Sequence, residues 1–203
     1  MNEYRAIHIS GYARTSHDFY ATPPWVTAAL LKHVKLRGPV WEPCCGDGAI
    51  VRVVEVAGHS VVASDLVDRG FGEPGVDFLK CAAFPAGCRS LVTNPPYGDV
   101  DPARPDRSRS LARDMLRFVR HAIELTEKAD GQLALLVRYQ WTAGQRASDL
   151  ISGGPLDAVL PLTRRIRWFD MGEKTNHAQH HHCWLFWDSQ RDRSLPPRIV
   201  FTD

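Results

Sequence analysis

Apolar residues at 26, 30 and 34, with Ala29 and Leu31 beside them, fall on one face of a helix that Pro24 opens. Pro39-Val40-Trp41 then reads as a short strand running into Glu42-Pro43-Cys44-Cys45-Gly46-Asp47-Gly48. A helix over 49–56 follows, stopped by Gly58, and Val61–Asp65 reads as a second, buried strand. Cys88 to Thr93 supplies another strand, ended by Pro95-Pro96, neither of which has an N–H to donate. The longest helical pattern spans about 107–129, with Leu111, Met115, Phe118, Val119, Ala122 and Ile123 on one face and arginines on the other. Leu133–Val137 is a continuous apolar run of the kind buried on both faces of a sheet. A short helix near 144–152 and strands near 157–168 and 182–188 complete the pattern.

This alternation predicts an α/β fold, a doubly wound, Rossmann-like, mostly parallel sheet with a late antiparallel strand. At 203 residues the chain is expected to form a single domain, 1–203, with 1–17 and 190–203 as peripheral extensions. The composition, 44% hydrophobic and 24% charged, is that of an ordinary soluble globular protein. No apolar run approaches a membrane span and MNEYRAIHIS lacks a signal-peptide layout, so a cytoplasmic location is expected. The five cysteines, an odd number, read as reduced thiols. A net charge of +2 says little about partners. Two arginine clusters, 104–120 and 164–167, read either as solvated surface or as a phosphate-facing rim.

In open sheets of this kind ligands bind at the carboxyl ends of the strands, where the glycine loop and Thr93-Asn94-Pro95-Pro96-Tyr97-Gly98 both fall. Gly46 and Gly48 permit a tight turn and close approach to a ligand. Asp65, at the end of the next strand, is placed to accept from ribose hydroxyls. The series points to an adenosine-bearing cofactor. A dinucleotide fits less well because the G-x-G-x-x-G spacing is absent, and no Gly-Lys-Ser/Thr marks a phosphate loop.

Glu42-Pro43-x-Cys45-Gly46-x-Gly48 together with Asn94-Pro95-Pro96-Tyr97 resembles the class I S-adenosylmethionine-dependent methyltransferases, specifically the amino-methyltransferases of the adenine-N6 type. The resemblance covers roughly residues 18–188, and the early Thr22-Pro23 pair gives the motif order of the gamma group of DNA adenine methyltransferases. It implies S-adenosylmethionine as cofactor, with Thr22 and Pro23 against its methionine part. Glu42, Cys45, Gly46 and Gly48 would line the amino acid and sulfonium side, and Asp65 would hold the ribose. Asp77 would accept from the adenine amino group and Phe78 would pack on the ring, although Phe78 reads equally well as a core residue.

The same resemblance gives Asn94, Pro95, Pro96 and Tyr97 a catalytic role. The exocyclic nitrogen of adenine is a poor nucleophile because its lone pair is delocalised into the ring. Two acceptors, the Asn94 side-chain oxygen and the Pro95 carbonyl, would hold its N–H groups and turn the lone pair toward the methyl group. Tyr97 would offer a face on which the base stacks.

The expected substrate is adenine in nucleic acid, DNA ahead of RNA because of the motif order. A duplex target must be flipped out of the stack. No separate target-recognition domain is expected after Asp188. Specificity would then come from short insertions or a partner chain, a second copy included, or be low. Tyr97, Arg107, Arg109 and Trp168 are the substrate-binding candidates; Phe169 is an alternative stacking aromatic. His177, His180, His181, His182 and Cys183 do not show the ordered spacing of a metal site, and none is expected. Two other readings stay open: a protein glutamine methyltransferase, which shares the tetrapeptide, and a non-catalytic cofactor- or nucleic-acid-binding module.

Overall fold

The computed structural model describes residues 20–96, 107–168 and 180–202, with the backbone alone over 107–114. Its elements are α1 (Pro24–Leu31), β1 (Val40–Glu42), α2 (Ala49–Val56), β2 (Val61–Asp65), β3 (Glu73–Pro74), β4 (Ser90–Thr93), α3 (Arg107–Lys128), β5 (Gln132–Arg138), α4 (Tyr139–Thr142), α5 (Gln145–Gly153), β6 (Leu156–Pro161), β7 (His182–Asp188) and β8 (Arg198–Ile199). The strands form one sheet in the order β3-β2-β1-β4-β5-β7-β6-β8. Every neighbouring pair is parallel except those made by β7, which runs against both β5 and β6. This is the mostly parallel sheet with a late antiparallel strand that the alternation of elements predicts.

The apolar run of β5 divides between two helical layers, because successive side chains in a strand point to opposite faces. Leu133, Leu135 and Val137 pack with the α3 residues Met115, Phe118, Val119 and Ala122, and with Ala147 and Ile151 of α5. Ala134 and Leu136 pack on the other face with Val26, Ala29 and Leu30 of α1 and Ile50 and Val54 of α2. β7 splits in the same way, Leu185 and Trp187 to the first layer and Trp184 and Phe186 to the second.

A polar clamp closes the amino-terminal ends of the strands. The backbone N–H of Arg37 donates to Gln132 Oε1 (2.8 Å), Gln132 Nε2 donates to Asp188 Oδ2 (2.8 Å), and the Arg37 guanidinium meets Asp188 at 2.9 Å. Binding chemistry is thereby left to the opposite edge.

Three elements differ from the sequence expectation. β2 is not a buried strand: Ser64 alone is buried and Val62 is 37% exposed. Its outer neighbour β3 has only two exposed residues, so the sheet thins there. The strand expected over 157–168 ends at Pro161, beyond which only Leu162 bridges to Thr202. Residues 198–199 form an edge strand paired with β6, and Thr202 is buried.

Candidate active site

β1 ends in a loop that is bound to the end of β2. Cys45 N donates to Ser64 O (3.0 Å), and the two Asp65 oxygens accept from Gly46 N (2.8 Å) and Val67 N (2.9 Å). Gly46, at φ 56°, makes this turn possible in a region that L side chains rarely enter. Gly48, at φ 83°, serves a different neighbour. A Cβ there would lie 2.5 Å from the Phe71 ring, which also sits under the Arg52 guanidinium, 5.7 Å from its centroid. Gly48 is buried and does not line the cleft, so its missing side chain accommodates Phe71.

A cleft of about 280 Å³ runs along the carboxyl ends of β1, β2 and β4. Thr22, Cys45, Gly46, Asp65, Asp77 and Phe78 line it, as do Asn94, Pro95 and Pro96. Segments some fifty residues apart thus share one cavity. Pro23 caps α1 and stands outside the lining, as does Glu42 behind its lining neighbours Pro43 and Cys44. Tyr97, Phe169 and His177 lie outside the described residues; Arg107 and Arg109 begin α3, but their side chains are likewise outside the description.

Asn94 carries the most informative hydrogen bond. Its Nδ2 donates to Thr22 Oγ1 at 3.2 Å, while its Oδ1 is buried with no partner among the described residues. The amide is therefore oriented by its nitrogen, and its oxygen remains an unfilled acceptor at the cleft.

Glu42 is the second unsatisfied group. It is 1% exposed, and neither carboxylate oxygen has a hydrogen-bond partner among the described residues. Burial pushes its carboxyl up to about 8, with a smaller push from Asp65; the Thr93 hydroxyl and Cys44 N–H stand near enough to draw it down in part, but not in hydrogen-bond geometry. The adjacent thiols respond to the same surroundings. Burial first, then Asp65 and Glu42, raise Cys45 to about 12, and Cys44 is raised well above its ordinary value by burial, Glu42 and Asp65. Both stay neutral thiols at physiological pH.

Asp77 lines the cleft with its oxygens engaged: Oδ1 accepts from Leu79 N (3.1 Å) and Oδ2 pairs with Lys80 Nζ (3.1 Å). Phe78 is at once core and cleft wall, with ring centroids 5.4 Å from Trp41 and 4.4 Å from Phe118. Trp168 is half-buried, 5.8 Å from the ring of Tyr20 and 5.3 Å from that of His182; Tyr20 lines the cleft and Trp168 does not. Burial and then Arg138 bring His182 down to about 4, so this strand histidine is neutral. Among the described residues no group of three His, Cys, Asp or Glu is arranged to hold a metal ion.

Several lining residues escape a reading of the motifs. Asp47 is the variable position between the two glycines, and Leu66 directly follows Asp65, so both had a sequence signal. Phe118 had none, since it lies on the apolar face of α3 like any core residue.

No protein-family model matches the chain, and no curated protein matches it in sequence. Solved structures do match. A Listeria monocytogenes protein assigned to the class I S-adenosylmethionine-dependent methyltransferases superposes with a TM-score of 0.59 at 16% identity, over 94% of this chain and 67% of that one. The M protein of the type I restriction enzyme EcoKI gives 0.51 at 17%, over 81% of this chain and 42% of that one. A Pyrococcus horikoshii protein assigned as an RNA methyltransferase gives 0.51 at 14%, over 85% and 87%. The fold is that of the class I S-adenosylmethionine-dependent methyltransferases.

Proposed function

We propose that the protein is an S-adenosylmethionine-dependent methyltransferase that modifies the exocyclic amino nitrogen of adenine in DNA. The observation that carries this reading is Asn94, its nitrogen held by Thr22 and its buried oxygen left without a partner at the cleft.

The cleft fits the cofactor on two counts. The orphaned Glu42 carboxyl does not line the cleft but stands directly behind its lining residues Pro43 and Cys44, where a cationic ligand in the cleft would offset part of the cost of ionising a buried acid. Asp65 spends one acceptor site per oxygen on the backbone and keeps others for ribose hydroxyls. Thr22, Cys45 and Gly46 would hold the methionine part, and Leu66 and Phe78 would present apolar surface to the purine. Asp77 already caps a turn and pairs with Lys80, so it is the least available of these acceptors. When bound, S-adenosylmethionine supplies an electrophilic methyl group on a sulfonium.

The chain's own residues prepare the acceptor. Asn94 Oδ1 takes one N–H of the substrate amino group, and the Pro95 carbonyl takes the other. The lone pair is thereby turned out of the ring plane, and developing positive charge is stabilised by two preset dipoles. The methylated ammonium is acidic enough to lose its proton without a dedicated base. Cys44 and Cys45, held as neutral thiols, do not compete as nucleophiles. Tyr97 and Trp168 are the aromatic candidates for stacking on the base. Arg107 and Arg109 are candidates for contacting its backbone, and DNA, either alone or with a specificity partner or second copy, is the expected partner.

The test incubates the protein with tritiated S-adenosylmethionine and, in parallel, duplex DNA, single-stranded DNA, total RNA and a protein extract, then identifies the labelled product. Label in N6-methyladenine from DNA is expected. Label confined to RNA refutes the DNA assignment, label confined to protein replaces it with glutamine chemistry, and cofactor binding without label refutes catalysis.

A further inference from the structure

The sheet has two edges, and they are built differently. One ends at β3, whose exposed residues are Glu73 and Pro74. A charge and a proline on an edge discourage a further strand from pairing there. The other ends at β8, which leads into two exposed apolar side chains: Ile199 is 65% and Phe201 71% exposed. Arg198 is the one charged residue of 198–202, and Asp157 of β6 pairs with it at 2.6 Å.

The backbone of this edge is half used. Val200 N donates to Val159 O (2.9 Å), Thr202 N donates to Pro161 O (2.9 Å), and Thr202 O accepts from Thr163 N (2.8 Å). Successive residues of a strand direct their N–H and C=O groups to opposite sides, so residues 198, 200 and 202 face β6. Ile199 and Phe201 turn theirs outward, where nothing among the described residues hydrogen-bonds to them. The side chains alternate too. Ile199 is in register with Val159, which packs against the layer of α3 and α5, whereas Val200 packs into the layer of α1 and α2. Ile199 and Phe201 therefore share one face at the rim, with Val200 on the other.

We propose that this edge is a dimer interface, in which β8 of a second copy adds antiparallel to β8 about a two-fold axis at Val200. The outward groups set the register. Ile199 of each copy faces Phe201 of the other, and each such pair exchanges both of its N–H···O bonds. A pairing centred on Ile199 would instead set Phe201 against Pro197, which has no N–H to give. The edge is thus complementary to itself. Its open backbone groups are all met, its two exposed apolar side chains cover each other as aliphatic–aromatic pairs, and Arg198 faces Thr202, so no like charges meet. Because β8 runs parallel to β6, the two clefts of such a dimer open at opposite ends of one continuous sheet. The inference therefore does not depend on what the cleft binds.

The test is sedimentation velocity on the full chain from about 1 µM to about 200 µM, where a mass rising with concentration to that of two chains is expected. Phe201→Glu brings a charge into the apolar pair and should raise the dimer dissociation constant at least about tenfold. Ile199→Pro removes an outward N–H that β6 does not use, so it should weaken the dimer as strongly and keep the wild-type urea midpoint under monomeric conditions. Val200→Cys reads the register. The axis sets the two residues opposite each other in a non-hydrogen-bonded pair, about 4.5 Å apart at Cα and within reach of a disulfide. Oxidised glutathione should convert that variant, and not the wild type with its native thiols, to a covalent dimer. A wild type that stays monomeric throughout overturns the proposal, whether another part of the chain or a different protein covers the edge. A dimer undiminished by Phe201→Glu lies on another surface and overturns it as well. A dimer that Val200→Cys fails to cross-link overturns the antiparallel pairing.

Discussion

Replacing Glu42 with Gln tests the electrostatics at the end of β1 directly. The folded-state value of its carboxyl is raised from 4.5 to about 8, so the folded protein holds this proton more tightly than the unfolded chain. Folding stability linked to this group is therefore greatest below pH 4.5 and falls as pH rises, levelling off above about 8. Each unit between the two values costs about 1.4 kcal/mol, and with rounding at the ends the loss from pH 5 to pH 8 is on the order of 3–4 kcal/mol. Gln has the same shape and no proton to release, so that slope should vanish from the variant. Urea denaturation of both proteins at pH 5, 6, 7, 8 and 9, without ligand, reads the difference. The stability of Glu42→Gln relative to wild type should climb by roughly 3–4 kcal/mol from pH 5 to 8 and change little from pH 8 to 9. Parallel stability curves, or a relative gain below about 1 kcal/mol, would refute the account of Glu42 as a buried acid without partners.

Asn94→Ala should lower methyl transfer by at least about 100-fold while calorimetric S-adenosylhomocysteine affinity stays within a few-fold; a fully active variant would sink the proposed mechanism. Asp65→Ala removes the acceptor for Gly46 N and Val67 N as well as the expected ribose contact, and should weaken cofactor binding about tenfold or more. Unchanged affinity would remove Asp65 from the site. Gly48→Ala should destabilise the fold by about 1–3 kcal/mol, through left-handed backbone strain and collision with Phe71. Adding Phe71→Ala should recover part of that loss in a double-mutant cycle, and strictly additive effects would exclude the contact.

Local signals announced much of this architecture. The α2 and β2 boundaries follow from a glycine stop and an apolar run, and β5 is legible because five successive apolar residues leave no exposed face. The meeting of the Gly46 loop with Asp65 and Asn94 is legible too, since parallel strands bring their carboxyl ends to one edge. What escapes is set by distant neighbours. Val61–Asp65 has the composition of a buried strand, yet exposure depends on how much sheet and helix lies beyond it, and only two residues of β3 do. Gly48 reads as a ligand-facing glycine because nothing near it in sequence announces Phe71. The orientation of Asn94 depends on a threonine 72 residues earlier, and no periodicity encodes that bond.

The reversal of β7 has a consequence for how the surface beside the cleft can change. Because β6 and β7 run in opposite directions, the chain that leaves β6 and re-enters β7 starts and finishes on the edge that carries the cleft. In a parallel pair the same connection would have to cross to the far side. A longer insertion between residues 162 and 182 therefore adds surface beside the cleft without altering any strand register. Its entropic cost grows only by about 0.6 kcal/mol for each doubling of length. The loop that ties β1 to β2 and the surface between β6 and β7 can thus diverge independently, and new surface can be grafted beside the cleft at a single point in the chain.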